Sequence, residues 1–367
     1  MTGDFFLTQW FFLAMRWLCE NVVANDVFLT ILISTLVLRL LTLFSDIKQR
    51  KFSQKNAAMQ PELQKLQQRC KDPKQLQSEQ QKLMKKYGVN MLDGCLPMLI
   101  TLPLLFCFIA AFRFWGYEQN VKMINEMSEN IAYSMREEGL VSSDANTVDC
   151  INTLLDMSED KQKEFFENSD IEVSKTFLQS KFLWINNIWQ PDNGFSPVVT
   201  ESKTFFGANY SSTKKLIYLS EHKDVKNKMI DLGILYDLSD GYKDKSKNEQ
   251  KELKEKAIST YNILMTPLEK VYEGHNNGWF ILPVLATLFQ LLYMLYTQKH
   301  TAAKTNGSDN ASAASSKFMM YLMPAMSFVF CLSYTSSFAM YWTLSSMIML
   351  IINIILTKIF DNKTAVK

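Results

Sequence analysis

The chain has 367 residues, of which 47% are hydrophobic, with six cysteines and a net charge of +2. These totals would suit a soluble protein, but the apolar residues are concentrated in a few long blocks and the charged residues lie between them. Half of the cysteines, namely Cys95, Cys107 and Cys331, fall inside those blocks. The cysteines therefore do not suggest a disulfide scaffold, although Cys19 and Cys150 could share an oxidising side, and the apolar blocks indicate a membrane protein.

The first element is an aromatic-rich segment within residues 1–25, which also contains Asp4 and Arg16. It lacks the basic start of a signal peptide. We predict an interfacial amphipathic helix here. A sixth membrane span is the alternative.

Long apolar blocks follow. Residues 27–44 contain one charge, Arg39, residues 95–112 and 279–297 contain none, and residues 318–357 lack Asp, Glu, Lys and Arg altogether. A bilayer core about 30 Å thick takes about 20 helical residues, so the last block has room for two spans. Because backbone groups in lipid must be paired within the segment, each span is a helix. We therefore predict an all-α polytopic protein with five spans, at residues 26–45, 95–114, 279–297, 317–333 and 337–359.

The loop at residues 46–90 carries 11 Lys and Arg against 4 Asp and Glu, a net charge of +7. Its apolar residues recur at helical spacing on both sides of a break near residue 72. This pattern predicts an antiparallel helical hairpin whose apolar face includes Met59, Leu63, Leu66 and Leu83.

Capping residues mark the ends of the second hairpin helix. Asp72 suits the N-cap, Pro73 the first helical position and Gly88 the C-terminal cap. Pro61 lies inside the first helix and should kink it or mark its true start.

Loop charge predicts the orientation, since Lys and Arg favour cytoplasmic loops. Residues 298–316, a flexible loop rich in Ala, Ser, Asn and Thr, and the tail at 360–367 are basic, like the hairpin, and are placed in the cytoplasm. Residues 115–278 carry 19 Lys and Arg against 27 Asp and Glu. We predict that this acidic insertion forms a small extracytoplasmic domain, with a helix over residues 245–272 and with the amino terminus also outside.

Arg39 stands near the inner end of the first span. A buried Arg near mid-membrane is costly and should face protein or water, although snorkelling to the headgroups is the alternative. Polar residues of the same and other spans could join it: Thr35, Thr101, Gln290 and Ser345. If they converge, they form a wet cavity inside the bilayer.

At this point the residues resemble a known family. Residues 59–67 (MQPELQKLQ), 87–90 (YGVN) leading into 94–99 (GCLPML), and 320–324 (MYLMP) are similar, in the same order, to the hairpin and spans of YidC insertases of the YidC/Oxa/Alb superfamily. Matches to Leu102-Pro103, Phe182–Ile185 and Tyr341-Trp342 extend the resemblance to all five spans. The bacterial type without a large amino-terminal periplasmic domain is the most similar, but the acidic insertion is longer than is typical.

The resemblance implies a membrane protein insertase or chaperone of the bacterial cytoplasmic membrane. Its groove, containing Arg39 and Thr35, would receive hydrophobic segments of nascent proteins and release them to lipid. The apolar residues along which those segments would slide match Leu99, Leu102, Leu105, Phe330 and Tyr341. A ribosome and a Sec-type translocon are candidate partners besides the substrates and the bilayer.

No enzyme activity or cofactor is expected. The chain has no glycine-rich loop followed by Lys-Ser or Lys-Thr, no zinc-binding His pair and no Gly-x-Ser-x-Gly elbow. An anion-binding transporter or channel that uses Arg39 is the alternative function. Paired repeats would favour a transporter, and the sequence shows none.

Overall fold

The computed structural model describes residues 6–70, 72–89, 91–207, 210–301 and 310–365. Within these ranges the regular elements are helices, and strand pairing is limited to isolated bridges, 182 with 185 and 197 with 276. The predicted all-α fold class is confirmed. The helices are α1 (Phe6–Asn21), α2 (Val27–Arg69), α3 (Pro73–Tyr87), α4 (Met91–Glu137), α5 (Thr147–Asp156), α6 (Glu159–Asn168), α7 (Lys175–Leu178), α8 (Ser202–Phe205), α9 (Tyr210–Thr213), α10 (Ile217–Glu221), α11 (Lys223–Asp231), α12 (Lys247–Val271), α13 (Ile281–Thr301), α14 (Asn310–Ser333) and α15 (Ser336–Ala365).

Two compact units make up the fold. We call Met1–Val27 with Ile109–Trp279 the inserted unit, and Phe28–Phe108 with Phe280–Lys367 the spanning unit. The boundary between them falls within α4, which continues well beyond the end predicted for the second span.

The inserted unit has an apolar core of its own. Fully buried side chains of α4, such as Met127 and Ile131, share this core with Ile151 of α5 and Leu264 of α12. The helix predicted over residues 245–272 is confirmed as α12. It begins with a capping box, in which the Ser246 hydroxyl accepts from the Glu249 amide and the Glu249 carboxylate accepts from the Ser246 amide.

Helix α1 belongs to the inserted unit. Its 16 described residues rise about 24 Å, and the predicted interfacial helix and its alternative, a sixth span, both stay predictions. One face is buried, including Phe12 and Met15, while Trp10 and Trp17 on the other face are exposed. Its Arg16 donates to Glu221 Oε2 at 2.8 Å, so the helix is bound to the inserted unit by packing and by charge.

The spanning unit contains the long apolar helices. Where side chains are described, three segments are long and apolar enough to cross a bilayer: Val27–Asn56, Ile281–His300 and Ser336–Ile359. Helices α4 and α14 cover the second and fourth predicted spans, and α14 includes a shorter apolar stretch, Tyr321–Ser333. The side chains of residues 91–102 and 301–320 lie outside the described part of the chain.

Helix α13 packs against both α14 and α15. Large apolar side chains on its other face are exposed at helical spacing, at Val284, Leu288, Leu292 and Leu295. This is the pattern of a helix whose outer face meets lipid tails. More than half of the predicted loop at 298–316 is helical, since α13 ends at Thr301 and α14 begins at Asn310; residues 302–309 are not described.

The predicted hairpin is formed by the end of α2 and by α3. The first span and the first hairpin helix are one continuous 43-residue helix, so Pro61 does not mark a helix start. The end signals of α3 are confirmed: Asp72 accepts from the Lys74 amide, Pro73 is the first residue and Gly88 has a left-handed φ of 60°.

Candidate functional site: a polar cavity around Arg39

A cavity of about 240 Å³ lies among the helices of the spanning unit. Helices α2, α4, α13 and α15 line it, and Arg39 is the only charged residue among the described side chains that line it. The lining combines polar and apolar residues: Leu38, Arg39, Thr42, Leu104, Leu105, Gln290, Tyr293, Tyr341, Trp342, Ser345, Ser346 and Met349. Of the residues predicted to join Arg39, Gln290 and Ser345 also line this cavity.

Arg39 is held in this cavity by a hydrogen bond across two helices. Its Nε donates to Ser345 Oγ of α15 at 2.8 Å, and a terminal guanidinium nitrogen lies close to the same hydroxyl. Ser345 is 3% exposed, whereas Arg39 is only partly buried. A guanidinium has five donors, so this acceptor leaves Arg39 with donors for another anionic or carbonyl group.

A neutral polar cluster forms another wall. Ser327 of α14 lies between Gln290 of α13, whose side-chain oxygen accepts from it, and Trp342 of α15, whose indole nitrogen donates to it at 3.1 Å. These bonds connect three apolar helices by side chains that would be costly to leave unpaired in lipid. Across the described residues, no three His, Cys, Asp or Glu side chains come together as a metal site.

Apolar residues close the rest of the cavity. Tyr341 is 4% exposed and its ring packs on Phe108 of α4, with 4.8 Å between the ring centroids. Leu105 also lines the cavity. Of the residues predicted to guide a sliding segment, these two therefore lie beside Arg39, while Phe330 of α14 is exposed and packs against Tyr334.

Some predicted site residues lie elsewhere. Thr35 is fully buried and its hydroxyl donates to the Ile31 carbonyl at 2.6 Å, so it pairs within its own helix and is not among the residues that line the cavity. The side chains of Leu99, Thr101 and Leu102 fall outside the described residues, and their predicted roles stay predictions.

Sequence reasoning missed a second polar cluster, about three helical turns beyond Arg39 on α2. Arg50 donates to the Asn353 carbonyl at 3.2 Å and also contacts the Asn353 side chain and the Thr357 hydroxyl. Asn353 in turn donates to Thr297 of α13. Arg50 was counted with the basic loop, but its position 11 residues after Arg39 is three helical turns away on the same face.

The hairpin has its own charged cleft. Lys86 contacts Glu62 Oε2 at 2.8 Å and Tyr87 donates to Glu62 Oε1 at 2.7 Å, which joins α3 to α2. These hydrogen bonds lower the pKa of the Glu62 carboxyl below its usual value. Of the predicted hairpin residues, Met59 is buried, Leu63, Leu66 and Leu83 are half-buried and Pro61 is exposed.

These features define a polytopic all-α membrane protein with a buried, arginine-containing polar cavity among its apolar helices. A family model described as the 60Kd inner membrane protein matches residues 18–363. The chain belongs to this family.

Curated relatives carry more specific names. A protein of Clostridium perfringens named membrane protein insertase YidC is 44% identical over 85 residues, 23% of this chain and 36% of the relative. A protein of the same name in Clostridium tetani is 33% identical over 107 residues, 28% of this chain and 49% of the relative. Membrane protein insertase MisCA of Bacillus subtilis is 44% identical over 88 residues, 23% of this chain and 34% of the relative. The chain thus spans less than half the length of these relatives.

Proposed function

We propose that this protein is a membrane protein insertase that receives hydrophobic segments of nascent proteins at the Arg39 cavity and releases them into the bilayer. The observation that carries the proposal is a polar cavity with one cation, lined in part by apolar side chains, inside helices that expose Leu, Val and Ile on their outer faces. The names of the relatives agree with it. The work is binding and partitioning, without covalent chemistry.

The physical steps follow from the cavity. Arg39 attracts the acidic or carbonyl groups of an incoming tail more strongly than it would in water, because the surroundings have a low dielectric constant. Neutral polar partners such as Gln290 and Ser345 lower the cost of holding peptide groups inside the membrane. The driving force is transfer of the apolar segment to lipid, at about 25 cal/mol per Å² of apolar surface.

The apolar route out of the cavity is proposed to pass Leu105 and Tyr341, which line it, and to continue over Leu99, Leu102 and Phe330. Exposed apolar groups on this route let the segment leave without passing a polar barrier. The substrate therefore meets polar groups first and lipid last.

Orientation and partners complete the proposal. The basic hairpin, the segment at residues 298–316 and the carboxyl-terminal tail are proposed to face the cytoplasm, with the amino terminus and the acidic insertion outside. The net charge of +7 on residues 46–90 suits contact with anionic headgroups or with ribosomal RNA. A Sec-type translocon is a further proposed partner.

The test is insertion of a short-tailed membrane protein into liposomes that contain only the purified full chain, scored by protease protection. We expect Arg39→Ala to reduce insertion of a substrate with an acidic tail by about tenfold, equivalent to about 1.4 kcal/mol, and that of a neutral-tailed substrate by less. Arg39→Lys keeps the charge and should retain part of the activity.

Empty liposomes and the variant Leu288→Ala, on the lipid face of α13, are the controls. Equal losses for both substrates with Arg39→Ala would contradict an electrostatic role. Anion flux through the liposomes without any insertion would instead support a transporter.

A further inference from the structure

The polar face of α2 does not end at Arg39. Thr42, Asp46 and Arg50 follow it at spacings of three or four residues, on one face of the helix. A second cavity, of about 260 Å³, borders this part of α2. Tyr293 and Met349 line both cavities, so the two are neighbouring parts of one polar track in the spanning unit.

The cation of the second cavity is already engaged. Arg50 bonds to the carbonyl and side chain of Asn353 and to the Thr357 hydroxyl, all on α15. These bonds use both terminal nitrogens of Arg50 and connect α2 to α15, so its terminal donors are engaged by neutral acceptors.

The carboxylate of the second cavity belongs to Asp46, and its hydrogen bonding differs from that of Arg50. Asp46 lines the cavity, and its Oδ2 is buried without a hydrogen-bond donor from the described protein. A buried carboxylate oxygen without a donor is unfavourable, and a cationic group is the ligand that would stabilise it most. The other polar groups around the cavity that carry no charge, including Gln49, Asn56 and Thr297, can accept further bonds from an ammonium or guanidinium group.

We propose that the Asp46 cavity is a second subsite, which binds the Lys or Arg side chain flanking the cytoplasmic end of an incoming hydrophobic segment. This inference rests on the proposed function. Asp46 lies seven residues after Arg39, two helical turns or about 10 Å along α2. Arg39 takes the acidic or polar tail deeper in the track, and Asp46 takes the basic flank nearer the hairpin.

The two subsites together select the orientation of the substrate. Membrane segments carry excess Lys and Arg on their cytoplasmic side. A segment that enters with its Lys or Arg flank towards the cytoplasm places that flank beside Asp46 and its acidic tail beside Arg39. A segment in the reverse orientation places like charges beside each of these residues. The order of charges along α2 thus favours one orientation before the segment reaches lipid.

The test uses two substrates that differ only in their cytoplasmic flank, Lys-Lys or Gln-Gln, both with neutral translocated tails. With the wild-type chain in liposomes we expect the Lys form to insert about fivefold faster, which corresponds to about 1 kcal/mol. Asp46→Asn should remove this advantage and leave the Gln form unchanged. Asp46→Glu should retain it, and Glu79→Gln, a hairpin carboxylate whose ion pair lies within α3, should have no effect.

Binding is measured in parallel with the full chain in detergent, by fluorescence anisotropy of labelled peptides carrying the same two flanks. Preferential binding of the Lys peptide that disappears in Asp46→Asn supports the subsite. Equal binding of the two peptides by the wild type, or an equal loss of both forms in Asp46→Asn, overturns it. Absence of any insertion by the wild type overturns the proposed function instead, and the anisotropy result then decides the subsite alone.

Discussion

The two units of this chain differ most in the side chains that they expose. The inserted unit buries Met, Ile, Leu and aromatic side chains and exposes charge, as soluble domains do. The spanning unit exposes Leu, Val and Ile and buries polar groups, among them Thr35, Ser327, Ser345 and Asn353. In water, burial of apolar surface drives folding, but lipid tails are as apolar as Leu and remove that drive. In the spanning unit, polar side chains between the helices therefore stabilise helix association, and some of them also line the candidate site.

The largest expected difference comes from making the same substitution in both units. Leu264 of α12 is fully buried in the core of the inserted unit, while Leu288 of α13 is 46% exposed on an outer face. We expect Leu264→Ala to lower the free energy of unfolding by about 2–5 kcal/mol, because it removes buried methyl groups and leaves a cavity. Leu288→Ala, whose side chain stays in contact with lipid or detergent, should cost less than about 1 kcal/mol.

Hydrogen exchange of the full chain in detergent measures this, since protection can be followed separately in α12 and α13. Equal loss of protection from the two substitutions would contradict the idea that apolar burial stabilises the inserted unit more than the spanning unit. A loss confined to α12 in the Leu264→Ala variant would support it.

A smaller effect is expected from the polar interior of the spanning unit. Asn353→Leu keeps the approximate shape of the side chain but removes the partner of Arg50 and of Thr297. We expect a loss of about 1 kcal/mol, since polar bonds between membrane helices contribute about 0.6 kcal/mol on average and an unpaired charged donor adds to the cost. Denaturation with SDS, followed by tryptophan fluorescence, measures it.

Ile355→Leu, on the exposed face of the same helix, is the matched control and should change little. A stabilised Asn353→Leu protein would mean that apolar contacts, not polar ones, hold α15 in place. That result would remove the main distinction between the two units.

Particular residues show which features of the structure could be predicted from the sequence. The apolar blocks predicted the helices of the spanning unit, because lipid imposes one length and one backbone solution. The cost of polar groups in lipid was the reason to look for polar partners of Arg39, and Gln290 and Ser345 line the same cavity as Arg39 does. Thr35 could not be placed from sequence, because a threonine hydroxyl can satisfy itself on the carbonyl four residues back, as this one does on Ile31.

Other features needed coordinates. The inserted unit lacks a strong repeat pattern, and its core joins residues far apart in the chain, such as Ile131 and Leu264. The sequence places Asp46 and Arg50 in the cytoplasmic hairpin, although α2 runs unbroken through them from the first span. Charge alone cannot distinguish the inner end of a span from the loop after it, because Lys and Arg are favoured at both.

The smallest expected effect is at the hairpin, where a surface ion pair joins α2 and α3. The Lys86 ammonium and the Tyr87 hydroxyl lower the pKa of the Glu62 carboxyl by hydrogen bonding. A carboxyl whose pKa is lower in the folded state stabilises that state above its unfolded pKa, and the stabilisation is lost as pH falls through the folded value. Protection of α3 amides should therefore decrease on acidification below about pH 4.5, the ordinary range of a Glu carboxyl.

Glu62→Gln should show reduced protection at neutral pH and a weaker response to acid, and Glu79→Gln, which removes a pair within α3 alone, is the matched control. If Glu62→Gln and the wild type respond identically, the ion pair does not hold the two hairpin helices together, and the apolar contacts of Met59 are left as the main link.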